Sequence, residues 1–170
     1  MNSSLYRSKL ETPFGEILIG VDDDGMLLEI RLPNRGPFSP KHISMPPAAA
    51  CGMDCVRSQL REYFAGTRRT FDLPLDARGT EFERTIWERL RSIPYGATTS
   101  YGAIALELGL LNGARAVGRA NGANPIPIVI PCHRVIGSNG DLTGFGGGLP
   151  LKRALLEFEG AIAPEPPRLF

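Results

Sequence analysis

The 170 residues include only three cysteines, two histidines and one tryptophan, and the formal net charge is +1. Cys51, Cys55 and Cys132 are too few and too unevenly spaced for a disulfide framework, and a reducing compartment would keep them as thiols. With 19 basic against 18 acidic side chains there is no whole-protein field of one sign, so any contact with a polyanion must be local. No uncharged apolar run approaches membrane-spanning length, and Met1–Glu11 lacks the apolar stretch of a secretory signal. A cytoplasmic location with no membrane partner is therefore expected. What is present, 42% hydrophobic and 22% charged residues, describes an ordinary globular protein.

Charge distribution says more than the total. Residues 1–80 carry ten basic and ten acidic side chains, whereas 108–140 contain Arg115, Arg119 and Arg134 with no Asp or Glu. Any contact with a polyanion is to be sought in that stretch.

The N-terminal part reads as a small sheet with a helix. Glu16–Val21 and Met26–Ile30 are extended apolar runs on either side of Asp23-Asp24-Gly25, where the Asp-Gly pair supplies positive φ angles. Five prolines between Pro33 and Pro47 predict an irregular surface connection in which His42 is an ordinary exposed side chain. Val56, Leu60 and Phe64 share a helical face, so residues from about 50 to 65 form an amphipathic helix that Gly66 stops. Cys51 and Cys55, four apart near its start, lack a third ligand and read as unligated structural thiols, so no metal is expected. A short strand at Phe71–Leu73 completes the sheet, and a composition shift at Asp76–Gly79 divides the chain into domains 1–78 and 79–170.

The second part reads as mostly helical. Thr80-x-x-Glu83 is a capping box opening a helix with Phe82, Ile86, Trp87 and Leu90 on its apolar side. Ser100 caps a short helix from Tyr101 to Leu108, and Asn112 caps another from about Gly113 to Asn121. Two short helices about a glycine-containing turn suggest a helix-turn-helix. In the second of them, Ala114, Ala116, Gly118 and Ala120 are small residues that allow close approach to a groove or to another helix. Pro150 suits the first turn of a last helix, Gly160 its end, and the tail 161–170 reads as poorly ordered.

Chemistry centres on Cys132, which has His133 and Arg134 beside it. A thiol attacks well only when ionised, and a reference pKa of about 8.5 means it needs a base or a positive field. Gly144–Gly148 lacks the Lys-Ser/Thr of a phosphate-binding loop; it reads as a mobile connection or as backbone open to a flat ligand. Glu159 gains a catalytic role only if it meets a partner such as His133.

Taken together, Ile130-Pro131-Cys132-His133-Arg134-Val135-Ile136, Thr143–Leu149 and Leu155–Gly160 closely resemble the O6-alkylguanine-DNA alkyltransferase family. So do Phe82–Trp87, Ile93–Gly96, Ser100–Gly102, Arg115–Gly118 and Asn121–Pro125. The resemblance is strong over about 72–160 and weaker over the N-terminal hairpin. It implies an α+β architecture, with an N-terminal small antiparallel sheet and helix (ribonuclease H-like) and a C-terminal winged helix-turn-helix-like domain.

The resemblance further implies direct reversal of DNA damage. Cys132 would take a methyl or larger alkyl group from O6 of guanine, and from O4 of thymine, once and irreversibly, because a thioether has no comparable leaving group. His133 would act through a water as the base, Glu159 would orient it, Tyr101 would donate toward the guanine, and Asn124 would tie the reading helix to the active turn. Arg115 would fill the space of a flipped nucleotide, while Ala114, Ala116, Gly118, Arg119, Ala120 and Arg134 would face DNA. Val135, Phe145, Gly146 and Gly147 would form the base pocket. Phe145 and Gly146 stand where many members carry Tyr and Ser. The implied partner is double-stranded DNA containing O6-alkylguanine, with no cofactor, a monomer in solution, and cooperative assembly along DNA left open. The rival readings are a non-catalytic alkyl-lesion binder on the same fold, a cysteine hydrolase or acyltransferase, and a helix-turn-helix regulator.

Overall fold

The computed structural model describes residues 4–33, 36 and 44–166. Most of the proline-rich connection, including His42, and tail residues 167–170 lie outside the described residues.

Strands β1 (Tyr6–Thr12), β2 (Gly15–Val21) and β3 (Leu27–Arg31) form an antiparallel sheet in the order β1-β2-β3. Tyr6 pairs with Val21, Thr12 with Gly15, and Ile19 with Ile30. The β2–β3 turn departs from expectation, because of its two central residues only Gly25, at φ +82°, has a positive φ. The Asp22 carboxylate does the rest by accepting the Asp24 and Met26 amides at 3.0 and 2.9 Å, an Asx-type closure that leaves Asp24 in ordinary backbone space.

Helix α1 (Pro47–Phe64) covers this sheet with Ala49, Met53, Val56, Leu60 and Tyr63. It starts about three residues earlier than the apolar spacing suggests, because Pro47 has no amide to lose in a first turn. The hairpin tip meets α1 through two glycines: a Cβ on Gly52 would stand 2.3 Å from the Gly25 oxygen. Cys51 and Cys55 are both exposed, so the structural role expected of them does not hold. No group of three or more metal-ligating side chains occurs among the described residues.

The strand expected at Phe71–Leu73 is absent. The Gln59 side chain takes both the amide and the carbonyl of Asp72, at 2.9 and 2.8 Å, and Pro74 has no amide to offer a ladder. Among the described residues this segment reaches the sheet through one bridge, Leu27 with Leu75.

Helix α2 (Glu81–Arg91) has both halves of its Thr80–Glu83 capping box and buries Ile86, Trp87 and Leu90. Phe82, expected with them, is 38% exposed because it lies in the first turn, at the rim of the interface. Trp87 donates from Nε1 to the Ala120 carbonyl at 2.8 Å, which pins α2 to α4 (Ala114–Gly122). Ser100 caps α3 (Tyr101–Glu107) through the Ala103 amide at 3.0 Å. Helix α4 (Ala114–Gly122) begins after Gly113 without a side-chain cap. Asn112, expected as that cap, instead sits at φ +53° and turns the chain, a left-handed conformation that asparagine tolerates well.

Strand β4 (Thr99–Ser100) pairs in parallel with β5 (Val135–Ile136), bringing the start of α3 beside the segment after Cys132. Helix α5 (Leu149–Phe158) has Pro150 in its first turn, and Gly160 follows its end at φ +72°. No helix among the described residues is long and apolar enough to cross a membrane. The expected α+β class holds.

Candidate active site

Cys132 is placed by a turn that asparagine holds closed. Asn124 donates from Nδ2 to the Ile130 carbonyl at 2.8 Å and accepts the Ile126 amide at 3.0 Å, spanning a loop closed by Ile130 N to Ile126 O at 2.9 Å. Within it the buried Ile128 sits at φ +75°, which for a β-branched residue costs about 1–3 kcal/mol and persists only where surrounding contacts enforce it. The chain then makes one 3-10 turn, Cys132–Arg134. Asn121 of α4, itself 3% exposed, approaches the Cys132 carbonyl at 3.4 Å.

Behind the thiol runs a buried charge chain. His133 Nε2 and Glu159 Oε1 are 2.9 Å apart with both side chains fully buried. Arg134 donates to the same carboxylate through Nε at 2.8 Å and Nη2 at 2.9 Å, and to the Ile93 carbonyl through Nη1 at 2.6 Å. Tyr63 of α1 adds a fourth donor at 2.6 Å. Burial alone would raise the Glu159 pKa, but hydrogen bonds and charge from His133 and Arg134 outweigh it and hold the carboxyl well below its ordinary range. Burial likewise pulls the His133 imidazole below its ordinary value against the pull of Glu159, so it is neutral at neutral pH. Donating Nε2–H to an ionised carboxylate leaves Nδ1 as the acceptor, and this buried atom has no partner among the described residues.

Burial pushes the Cys132 thiol up to about 11, against the Asn124 side chain, the Lys152 charge and the Cys132 and His133 amides. It therefore carries its proton at neutral pH and requires a base. Lys152 is fully buried on α5, donating to the carbonyls of Val135 at 2.5 Å and Thr143 at 2.8 Å and reaching the Tyr101 hydroxyl at 3.5 Å. Burial lowers its amine to about 8. Tyr101 donates to the Thr143 carbonyl at 3.1 Å, and burial raises its phenol so that it stays a donor.

Beside Cys132 opens a cavity of about 310 Å³ whose lining includes Asn124, Pro127, Phe145 and Gly146, with Glu29 and Arg31 from the end of β3. Two expected pocket residues lie behind its wall. Val135 is fully buried, and a Cβ on Gly147 would be 2.6 Å from the Leu151 side chain, so both are packed into the protein. The expected DNA-facing set also divides. Arg115 and Arg119 are exposed, and Ala114, Ala116 and Gly118 half-buried. Ala120 is 2% exposed, facing Trp87. Arg134 is 5% exposed, and because its guanidinium is committed to Glu159 and Ile93 it cannot face DNA.

Sequence reasoning missed Lys152, Tyr63, Asn121 and the contribution of β3. Only Lys152 carried a signal, a charge one turn before Leu155 and Leu156 on the apolar face of α5. Tyr63 lies 96 residues from Glu159, and nothing local connects them.

These features define an α+β protein that keeps a cysteine, a neutral histidine and an ionised glutamate behind a helix-turn-helix. The chain belongs to the 6-O-methylguanine DNA methyltransferase family, whose ribonuclease-like domain matches residues 5–77 and whose DNA-binding domain matches 81–161. It is 44% identical over 165 residues to the methylated-DNA–protein-cysteine methyltransferase of Mycobacterium tuberculosis, spanning 97% of this chain and 98% of that one. Identity to the Methanosarcina acetivorans protein of the same name is 41% over 160 residues, covering 92% and 99%. The crystal structure of the M. tuberculosis O6-methylguanine methyltransferase superposes with a TM-score of 0.79 at 43% identity, over 95% of this chain and 96% of that one. That of M. tuberculosis OGT in complex with DNA superposes with a TM-score of 0.79 at 44% identity, over 91% and 92%.

Proposed function

We propose that the protein repairs alkylated DNA by direct reversal, moving the alkyl group from guanine O6, and from thymine O4, to Cys132. The observation that carries this is the buried thiol opening on the cavity of about 310 Å³ with His133 and ionised Glu159 behind it. Cys132 Sγ attacks the alkyl carbon, the S–C bond forms as the C–O6 bond breaks, and the thiol proton passes through a water to His133 Nδ1. Tyr101, its hydroxyl turned from the Thr143 carbonyl, donates toward the departing guanine so that negative charge does not build on it. The product is a thioether, so each molecule acts once.

A lesion base in duplex DNA has to leave the stack to reach this cavity. Arg115 fills the vacated space, and the small side chains Ala114, Ala116 and Gly118 let α4 approach the minor groove, with Arg119 near the phosphates. Asn124 positions the active turn, while Phe145 and Gly146 contribute the pocket wall. The molecule acts as a monomer, and division of labour follows the domains 1–78 and 79–170.

The test is a duplex oligonucleotide carrying one O6-methylguanine, followed by intact and peptide mass spectrometry. The expected result is one methyl on the Cys132 peptide, a stop at one equivalent, and no transfer by Cys132→Ala. Tight lesion binding without mass gain would support the non-catalytic binder instead.

A further inference from the structure

We infer that Tyr63 is a positioning residue for the transfer reaction, through which α1 of the N-terminal domain fixes the carboxylate oxygen that orients His133. This rests on the function proposed above. Glu159 Oε1 accepts three donors, the Tyr63 hydroxyl at 2.6 Å, His133 Nε2 at 2.9 Å and Arg134 Nη2 at 2.9 Å, whereas Oε2 accepts Arg134 Nε at 2.8 Å. Arg134 already pairs the carboxylate through two donors, so Tyr63 is not needed to neutralise it. What Tyr63 adds is a fixed place for the oxygen that His133 uses.

The hydroxyl is itself held rigidly. The Tyr63 ring packs against Phe64, Phe71, Phe158 and Tyr95 with centroids 5.1, 5.4, 5.6 and 6.1 Å away. Phe158 immediately precedes Glu159, so one aromatic cluster grips both ends of the hydrogen bond. Burial and the neighbouring Glu159 charge raise the phenol, so Tyr63 stays a donor throughout the physiological range.

His133 responds electrostatically to Glu159, to Arg134 in its own turn and to Lys152 of α5. Glu159 faces, besides His133 and Arg134, Tyr63 of α1 and Tyr95, over whose ring lies Arg69. Tyr63→Phe keeps the ring and removes one donor from Oε1. The freed oxygen then holds the imidazole proton more strongly, so His133 stays protonated to higher pH, while the carboxylate gains rotational freedom.

The experiment compares wild type with Tyr63→Phe in two readouts. Single-turnover transfer from an O6-methylguanine duplex is expected to have its acid limb moved up by about half a pH unit, which makes it about threefold slower on that limb, the size that one lost hydrogen bond supports. The His133 imidazole titration, followed by NMR, should move upward by a similar amount. Only two histidines exist, so His42→Gln in both backgrounds makes the assignment unambiguous. Tyr63→Leu, which also opens a cavity, should lower the Tm further without moving the titration further. A Tyr63→Phe protein with wild-type titration and wild-type pH profile, whatever its Tm, overturns the inference. If the wild type itself takes up no methyl group, the transfer reading fails, and the His133 titration still decides whether Tyr63 acts through Glu159.

Discussion

Arg115 and Arg134 come from the same acid-free stretch of sequence, yet the fold puts them to opposite uses. Arg115 stands exposed in the first turn of α4, among small side chains. Arg134 lies inside, with its donors committed to Glu159 and the Ile93 carbonyl. The contrast teaches that counting basic residues overstates the charge a surface presents. A guanidinium satisfied internally neutralises a carboxylate, so the exposed positive charge of α4 is that of Arg115 and Arg119.

Removing each arginine tests the contrast most directly. Arg134→Ala strips two donors from a buried carboxylate and is expected to cost about 3–5 kcal/mol of stability in denaturant unfolding, with transfer lost alongside. A loss under about 1 kcal/mol would show that Arg134 behaves as a surface charge.

Acid should act on the same interior. His133 titrates below its ordinary value in the folded state, so as pH falls below about 6.5 the unfolded chain binds a proton that the folded one refuses, and stability declines. Glu159, held below its ordinary range, stabilises fully above about 4.3, and that contribution is lost as pH falls further. Thermal melts carried from pH 8 down to about pH 2 should therefore fall in two stages, the His133 stage first and the Glu159 stage below about 4.3, and a flat profile from 7 to 5 would remove His133 from the account.

The α4 arginines should show smaller effects of another kind. Arg115→Ala is expected to slow duplex repair about tenfold while slowing reaction with a free O6-alkylguanine base much less, since only the duplex requires extrusion. Arg119→Ala should reduce the salt slope of duplex binding by about one, as loss of a single phosphate contact does. Equal loss on duplex and free base would place Arg115 in the chemistry and erase the distinction between the two faces.

The legible parts are those whose signals are local. The Thr80–Glu83 box, the Ser100 cap, Pro150 and Gly160 each act within a few residues, and the structure has all four where expected. Errors fall where a side chain met the backbone in a way the local pattern does not display. Gln59 satisfies the Asp72 backbone and removes a strand, and the Asp22 carboxylate replaces a positive φ at Asp24. In the candidate site, the proximity of His133 to Glu159 was legible only through the family pattern, because 26 residues and a whole helix separate them.

Sequence alone determined the helical segments after residue 80, the acid-free stretch around α4 and the identity of a single cysteine followed by histidine and arginine. Those properties depend on residue type and near neighbours. Tertiary structure alone decided that Arg134 turns inward, that Lys152 lies buried between Val135 and Thr143, and that Tyr63 of one domain holds Glu159 of the other. A buried charge must be met by whatever donors the fold brings within about 3 Å, and which donors arrive is set by packing over the whole chain.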